Sequence, residues 1–190
     1  YYYRNKVNKN ILIGKDTRVS GDMLEAGLSA GLCSTGINVI NAGVITTPAV
    51  AYLTNYYKAT MGVVISASHN PYYDNGIKFF NGNGYKIENK QENEIENILI
   101  NEEYKKINIP GKDIGKVQLL KDAKNIYIEY VIHSINGDFS KNGYKIIFDC
   151  ANGASSNIVG ELFNRLNLNF KVINNRPNGM NINKKCGSTC

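Results

Sequence analysis

The sequence lacks any apolar run long enough to cross a membrane, because polar residues interrupt its longest hydrophobic stretches within a few positions. It contains neither the G-x-G-x-x-G nor the Walker A pattern, so nothing in it indicates a nucleotide-phosphate loop. It shows no repeat of solenoid length. These absences argue against an integral membrane protein, a nucleotide-binding module and a repeat protein.

Cysteine and histidine are scarce, with four cysteines and two histidines in 190 residues. Cys186 and Cys190 stand close together, but the nearest histidine, His133, is far away in sequence, so no zinc site is expected. Isolated cysteines are typical of a reducing compartment, which predicts a cytoplasmic protein. The chain begins at Tyr1 without a methionine and shows no signal peptide, so we interpret it as a fragment of a longer protein.

The charge balance is basic, with a formal net charge of +6. The lysines are dispersed among asparagine, isoleucine and tyrosine and do not form a basic stripe, so no nucleic-acid partner is expected. Positive charge would still favour an anionic sugar phosphate. A hydrophobic content of 43% with 20% charged residues indicates a globular chain.

The first part of the chain alternates predicted strands and helices. Apolar runs predict strands at 11–13, 39–40 and 61–65. Asp22 is placed to cap a helix that apolar residues nearly encircle, so we expect that helix to be buried against a sheet. Pro48 opens a second helix, which ends near Tyr57. This order predicts the α/β class, with a mixed, mainly parallel sheet and covering helices.

The remaining elements suggest two domains. The Asn-Gly pairs at 81–84 lie between apolar runs and predict a hairpin, and an acidic helix is predicted at 88–100. A linker rich in lysine, glycine and proline follows at 101–121. We therefore predict one domain at 1–121 and the first half of a similar α/β domain at 122–190. The elements predicted in the second part are a helix at 122–135, a strand at 144–148, a helix at 155–166 and a strand at 169–173.

The most informative stretch is the apolar run at 63–65, which ends at a small polar loop containing Ser66 and Ser68. A serine at the carboxyl end of a buried strand lies where α/β proteins usually bind ligands, so Ser68 is a candidate covalent centre. An ordinary turn is the alternative, because serine, asparagine and proline are common turn residues. Ser66 is a competing nucleophile, since strand alternation puts both serines on the same side. A serine-hydrolase elbow is disfavoured, because glycines do not flank Ser68.

Five stretches in a fixed order carry a resemblance to a known family. They are GKDTRVSG at 14–21, TPAVAYL at 47–53, ISASHNPYYDNGIKFF at 65–80, DCANGA at 149–154 and NINKKCGST at 181–189. The third resembles the phosphoserine loop of the α-D-phosphohexomutases, and the others are similar to that family in the same order. Residues 72–75 resemble the branch that acts on amino-sugar phosphates.

The resemblance implies that Ser68 carries a phosphate and that residues around it have defined roles. The implied catalytic residues are Ser68, Lys78 and His69, and the implied phosphate- or substrate-binding residues are Arg18, Ser20 and Asn70. Lys78 would assist proton transfer or neutralise the phosphate, and a solvated strand lysine is the alternative. Arg18 would brace the phosphate or its metal ligands, and an exposed helix-capping arginine is the alternative. His69 would donate to the phosphate or simply pack the turn.

The resemblance also implies one Mg²⁺, bound by the Ser68 phosphate and by aspartates of a Gly-Asp-Gly-Asp loop that these 190 residues do not contain. The implied enzyme is an intramolecular phosphotransferase that isomerises a hexosamine phosphate through a sugar 1,6-bisphosphate, supplying bacterial amino-sugar and peptidoglycan precursors. Glucose or mannose phosphates are alternative substrates, and a non-catalytic α/β binding module is an alternative function. A homodimer is left open, and the 190 residues alone are expected to be inactive.

Overall fold

Short aliphatic runs form the central sheet of the computed structural model, which describes residues 8–106, 109–135 and 143–190. The strands are β1 (Asn10–Lys15), β2 (Asn38–Val44), β3 (Met61–Ile65), β4 (Ile77–Asn81) and β5 (Val117–Leu119). Their order is β4-β3-β1-β2-β5, and only β4, at one edge, runs antiparallel to its neighbour. The mixed, mainly parallel sheet predicted from the sequence is confirmed.

Helices cover both faces of this sheet, as its continuously buried inner strands require. The helices are α1 (Gly21–Ser34), α2 (Thr47–Tyr56), α3 (Asn89–Ile100) and α4 (Ala123–Ser134). On one face, Leu12 and Val64 pack with residues of α2 and α4. On the other face, Ile13 and Val63 pack with residues of α1 and α3. Successive strand residues alternate between the two layers, which explains why whole strands are apolar.

Helix α1 differs from its prediction in the residue that caps it. Ser20 occupies the N-cap position, and Asp22 lies in the first turn, where its carboxylate is 2.7 Å from Lys15 Nζ. The expected burial of α1 against the sheet is confirmed, because Leu24 and Leu28 pack in the same layer as Ile13 and Val63. Its outer face is open to solvent, where Met23 is 67% exposed.

The second α/β unit contains two parallel strands and one short helix. Strands β6 (Lys145–Asp149) and β7 (Asn169–Ile173) pair in parallel, and α5 (Val159–Arg165) connects them. The predicted helix at 155–166 begins instead as a 3₁₀ turn, Ala154–Asn157.

The hairpin predicted around 81–84 is present as one antiparallel bridge between Phe80 and Lys86. Among the described residues, no helix combines the length and the apolar character needed to cross a membrane.

Helix α4 joins the two units, although the sequence assigned it to the second. Its Tyr130 ring stacks on Tyr52 of α2 with centroids 3.8 Å apart. Its Ile128 is fully buried in the cluster that contains Leu12 from β1 and Ile158 beside α5. One apolar core therefore includes side chains from both units, and the domain boundary at 121/122 stays a prediction.

Candidate active site

One cleft of about 400 Å³ lies between the carboxyl ends of β3 and β6. The first unit contributes Asp16, the start of α2 and the loop after β3 to its walls, while the second contributes the loop after β6 and residues near Asn183. Open α/β sheets bind ligands beyond the carboxyl ends of their strands. A cleft of this volume is within the range that accommodates small molecules.

The two candidate serines differ in their surroundings, a difference that strand alternation in the sequence did not predict. Ser66 is buried, and its hydroxyl oxygen accepts a hydrogen bond of 3.1 Å from the backbone N–H of Ser68. Ser68 is exposed at the cleft and has φ of +55°. Few residues other than glycine adopt this left-handed conformation, and those that do often lie at functional sites. Ser66 therefore supports the loop, while Ser68 presents its side chain.

Arg18 holds the Ser68 loop from within the first unit. Its side chain is fully buried, so the alternative of an exposed helix-capping arginine is wrong. The guanidinium has five N–H donors, and each has an acceptor. The acceptors are Asp16 Oδ2 at 3.0 Å, Ser68 O at 3.0 Å, Asn70 O at 2.9 Å, Asp74 O at 3.1 Å and Pro71 O. A direct contact between Arg18 and a phosphate would require the loss of one of these bonds.

Ser20 and Asn70 also contact the loop itself. Asn75 donates from Nδ2 to Ser20 Oγ at 2.9 Å, which ties the start of α1 to the loop. Asn70 donates from Nδ2 to the carboxylate of Asp74 at 3.1 Å. These contacts tie both predicted residues to the loop that contains Ser68, although neither residue lines the cleft. Their binding of phosphate stays a prediction.

His69 and Lys78 occupy different positions relative to the cleft. His69 is exposed and lines it next to Ser68. Lys78 is exposed on the edge strand β4, opposite Val64, and is absent from the cleft walls that the described residues form. Directly opposed residues of a sheet share a face, so Lys78 lies on the face of Val64, which lines the cleft. The catalytic roles of both residues stay predictions.

The second unit contributes contacts that the sequence did not reveal. Asn183 donates from Nδ2 to the carbonyl oxygens of Ser68 at 2.9 Å and Asn70 at 3.0 Å. Thr17 Oγ1 donates to the carbonyl of Asn152 at 2.6 Å. Asn183 and Ser68 are 115 positions apart, so no local pattern could pair them. The only signal was that 181–189 fitted the family pattern.

Asp149 organises the loop after β6. Its carboxylate accepts hydrogen bonds from the backbone N–H groups of Ala151 at 2.8 Å and Gly187 at 2.9 Å. Desolvation by burial acts to raise the pKa of Asp149, but hydrogen bonds from Gly187, Ala151 and the Asn174 side chain outweigh it and lower the pKa. Asp149 thus places a carboxylate at the cleft, and backbone N–H groups already donate hydrogen bonds to this carboxylate.

Carboxylates are side chains that Mg²⁺ prefers as ligands, and two of them lie in the cleft wall. Among the described residues, no group of three or more His, Cys, Asp or Glu side chains could hold a metal ion. The two carboxylates of the cleft wall are occupied, Asp16 by Arg18 and Asp149 by backbone N–H groups. That a phosphate on Ser68 supplies a metal ligand stays a prediction.

The chain is similar to a well-defined group of proteins. The family model described as phosphoglucomutase/phosphomannomutase, alpha/beta/alpha domain I, matches residues 1–106. A phosphoglucosamine mutase from Syntrophomonas wolfei is 51% identical over 179 residues, which are 94% of this chain and 40% of that protein. A phosphoglucosamine mutase from Acetivibrio thermocellus is 50% identical over 185 residues, again 40% of its length. The chain thus spans about two fifths of the curated relatives it matches.

Solved structures show the same fold. The X-ray structure of a phosphoglucomutase/phosphomannomutase family protein from Burkholderia thailandensis aligns with a TM-score of 0.75 at 20% identity. The alignment covers 94% of this chain and 38% of that one. It extends the shared fold beyond the residues that the family model matches.

Proposed function

Because the chain belongs to the phosphoglucomutase/phosphomannomutase family, we propose that the protein containing it is a phosphoglucosamine mutase. This enzyme would interconvert glucosamine 6-phosphate and glucosamine 1-phosphate. The observation that carries the proposal is the geometry of Ser68, an exposed serine in a left-handed conformation at the cleft, on a loop whose carbonyls are bound by buried Arg18. The identity of about 50% to two phosphoglucosamine mutases supports the choice of substrate.

In the proposed reaction Ser68 Oγ holds a phosphoryl group and donates it to a free hydroxyl of the sugar phosphate. The bond between Oγ and phosphorus breaks, a bond from the sugar oxygen to phosphorus forms, and the proton of the sugar hydroxyl passes through a base to Oγ. The resulting sugar 1,6-bisphosphate reorients in the cleft. Oγ then forms a bond to the phosphorus of the other phosphoryl group, the bond from that phosphorus to its sugar oxygen breaks, and the Ser68 proton passes to that oxygen. A serine phosphate is a suitable carrier because it is stable in water yet transferable once its charge is neutralised.

The remaining residues have supporting roles in this proposal. Arg18 and the bonded pair Ser20 and Asn75 hold the loop in place. His69 donates to the phosphate, and Lys78 supplies positive charge from the edge strand. The Mg²⁺ implied by the family would neutralise the phosphate when bound, with carboxylate ligands from outside the described residues. We propose a cytoplasmic location, which agrees with the four free cysteines.

The decisive experiment compares Ser68→Ala with Ser66→Ala in the full-length protein. Loss of the Ser68 hydroxyl is expected to lower turnover by at least about a thousandfold, as removal of a nucleophile does. Ser66→Ala is expected to retain measurable turnover, because its hydroxyl contacts only the loop backbone. Peptide mass spectrometry of the purified wild type should find phosphate on Ser68. Activity in Ser68→Ala together with inactivity in Ser66→Ala would move the nucleophile to Ser66.

Measurements on the same purified protein distinguish two alternative functions from the proposed one. A sister mutase would turn over glucose or mannose phosphates faster than glucosamine phosphates. A non-catalytic binding module would show neither turnover nor phosphate on Ser68. The 190 residues alone are expected to be inactive, and turnover by them would contradict the assignment of the metal ligands to the rest of the protein.

A further inference from the structure

We infer that Asn183 is a positioning residue for the proposed phosphoryl transfer, because its side-chain amide, from the second unit, holds the Ser68 loop of the first. The inference rests on the proposed function and adds a residue to it. Asn183 does not contact the reacting atoms in this assignment. It acts on the serine through the loop backbone.

Two carbonyl oxygens of the Ser68 loop each accept one hydrogen bond from Arg18 and one from Asn183. The carbonyl oxygen of Ser68 accepts from Arg18 Nη2 at 3.0 Å and from Asn183 Nδ2 at 2.9 Å. The carbonyl oxygen of Asn70 accepts from the same two groups at 2.9 and 3.0 Å. A carbonyl oxygen has two lone pairs, so both oxygens are fully used. The loop is therefore fastened by one side chain from each unit.

Asn183 is itself fixed by the loop after β6. Its backbone N–H donates to the carbonyl of Ala151 at 2.9 Å, and its φ is +58°, a value that asparagine tolerates better than most residues. Two further bonds join the units nearby, from Thr17 Oγ1 to Asn152 O and from Val19 N to Gly179 O. The amide of Asn183 therefore links the position of the Ser68 loop to that of the second unit.

This restraint matters because Ser68 has an unfavourable backbone conformation. Its φ of +55° persists only if the surroundings hold it there. Loss of the Asn183 amide would leave two carbonyls with one donor each and would let the loop relax. A displacement of about 1 Å at a reacting group can lower a rate by about 100-fold.

The test uses Asn183→Gly and Asn183→Asp in the full-length protein, with Asn167→Gly as control. Glycine removes the amide but accepts φ of +58°, and aspartate keeps the shape but replaces the donor with a charged acceptor. Asn167 has φ of +51° and is exposed after α5, so its variant repeats the backbone change elsewhere. We expect kcat to fall by about 10- to 100-fold in Asn183→Gly and further in Asn183→Asp. We expect KM to stay within about twofold and the control to match wild type.

Hydrogen–deuterium exchange of the peptide covering 66–75 gives a readout that needs no turnover. Exchange in this peptide is expected to be faster in both Asn183 variants and unchanged in Asn167→Gly. The inference is overturned if kcat of both variants stays within about twofold of wild type, if KM rises while kcat is unchanged, or if exchange does not change. An inactive wild type would refute the proposed function, and the exchange comparison would still decide whether Asn183 holds the loop.

Discussion

At the scale of single residues, Arg18 binds four carbonyl oxygens of the Ser68 loop from a fully buried position. Its planar guanidinium satisfies carbonyls in several directions at once, which the three donors of a lysine cannot do. Arg18→Lys keeps the charge near Asp16 but has too few donors for the four loop carbonyls that Arg18 binds. We expect the free energy of unfolding to fall by about 2–4 kcal/mol and turnover to fall with it. Urea unfolding and steady-state kinetics of the full-length variant would measure both.

Arg165 offers a matched control for that change. It pairs with Glu129 at 2.7 Å, and the two side chains are 37% and 50% exposed. Exposed ion pairs contribute little, so Arg165→Lys is expected to change the free energy of unfolding by less than about 0.5 kcal/mol. Equal losses in the two variants would show that the buried hydrogen bonds of Arg18 are not what stabilises the loop.

The lowered pKa of Asp149 gives a prediction for the pH dependence of stability. Burial opposes the ionised form, but the hydrogen bonds from Gly187, Ala151 and Asn174 outweigh burial. A carboxyl group whose pKa is lower in the folded state stabilises the fold above its unfolded pKa, near 4, and this contribution is lost as pH falls through the folded value. Asp149→Asn should therefore be least stable relative to wild type at neutral pH. Urea unfolding between about pH 7 and pH 3 should show the difference shrinking below about pH 4, and a constant difference would contradict this assignment.

At the scale of elements, the contact between β3 and α2 depends on a glycine. A Cβ on Gly62 would lie 2.1 Å from Thr54 Oγ1, and Thr54 is fully buried. Gly62→Ala is therefore expected to cost about 1–3 kcal/mol of unfolding free energy by forcing the helix from the strand. Adding Thr54→Ala removes the nearest atom, so the double variant should lose less than the sum of the two single changes.

Gly27→Ala is the control for the Gly62 experiment. Gly27 lies within α1, and a Cβ there would meet nothing within 4 Å. Alanine is preferred to glycine in a helix, so this variant should be neutral or stabilised by up to about 1 kcal/mol. Additive losses for Gly62→Ala and Thr54→Ala would mean that the two residues are not in contact.

The elements were largely predictable because their signals are local. The apolar runs that gave β1 and β3, and Pro48 at the start of α2, act within a few residues. The face of α1 that packs on the sheet was not predictable in the same way, since the apolar Met23 faces solvent while Glu25 is buried beside Lys15. Which helix face is covered depends on the sheet beneath it. The sequence of one helix does not specify that sheet.

At the scale of the whole molecule, the site was only half predictable. Motif resemblance placed Ser68 and Arg18 in one site, and the structure shows them in direct hydrogen-bond contact. The resemblance did not show that every donor of the Arg18 guanidinium has an acceptor in this arrangement. The resemblance also did not indicate the role of Asn183, because contacts across the cleft depend on how the two units dock. Such contacts are a property of tertiary packing and leave no periodic trace in the sequence.

Docking of the two units makes Ile128 a test of whether they unfold together. Its side chain is fully buried in the cluster that joins Leu12 to Ile158. Ile128→Ala should lower the free energy of unfolding by about 2–5 kcal/mol, as large-to-small core changes do. Because the cluster includes both units, hydrogen exchange should become faster in β3 and in α5 alike. Ile100→Ala, at a position 76% exposed, should change stability by less than about 0.5 kcal/mol. Faster exchange in only one unit would show that the two units unfold independently and that the shared core does not couple them.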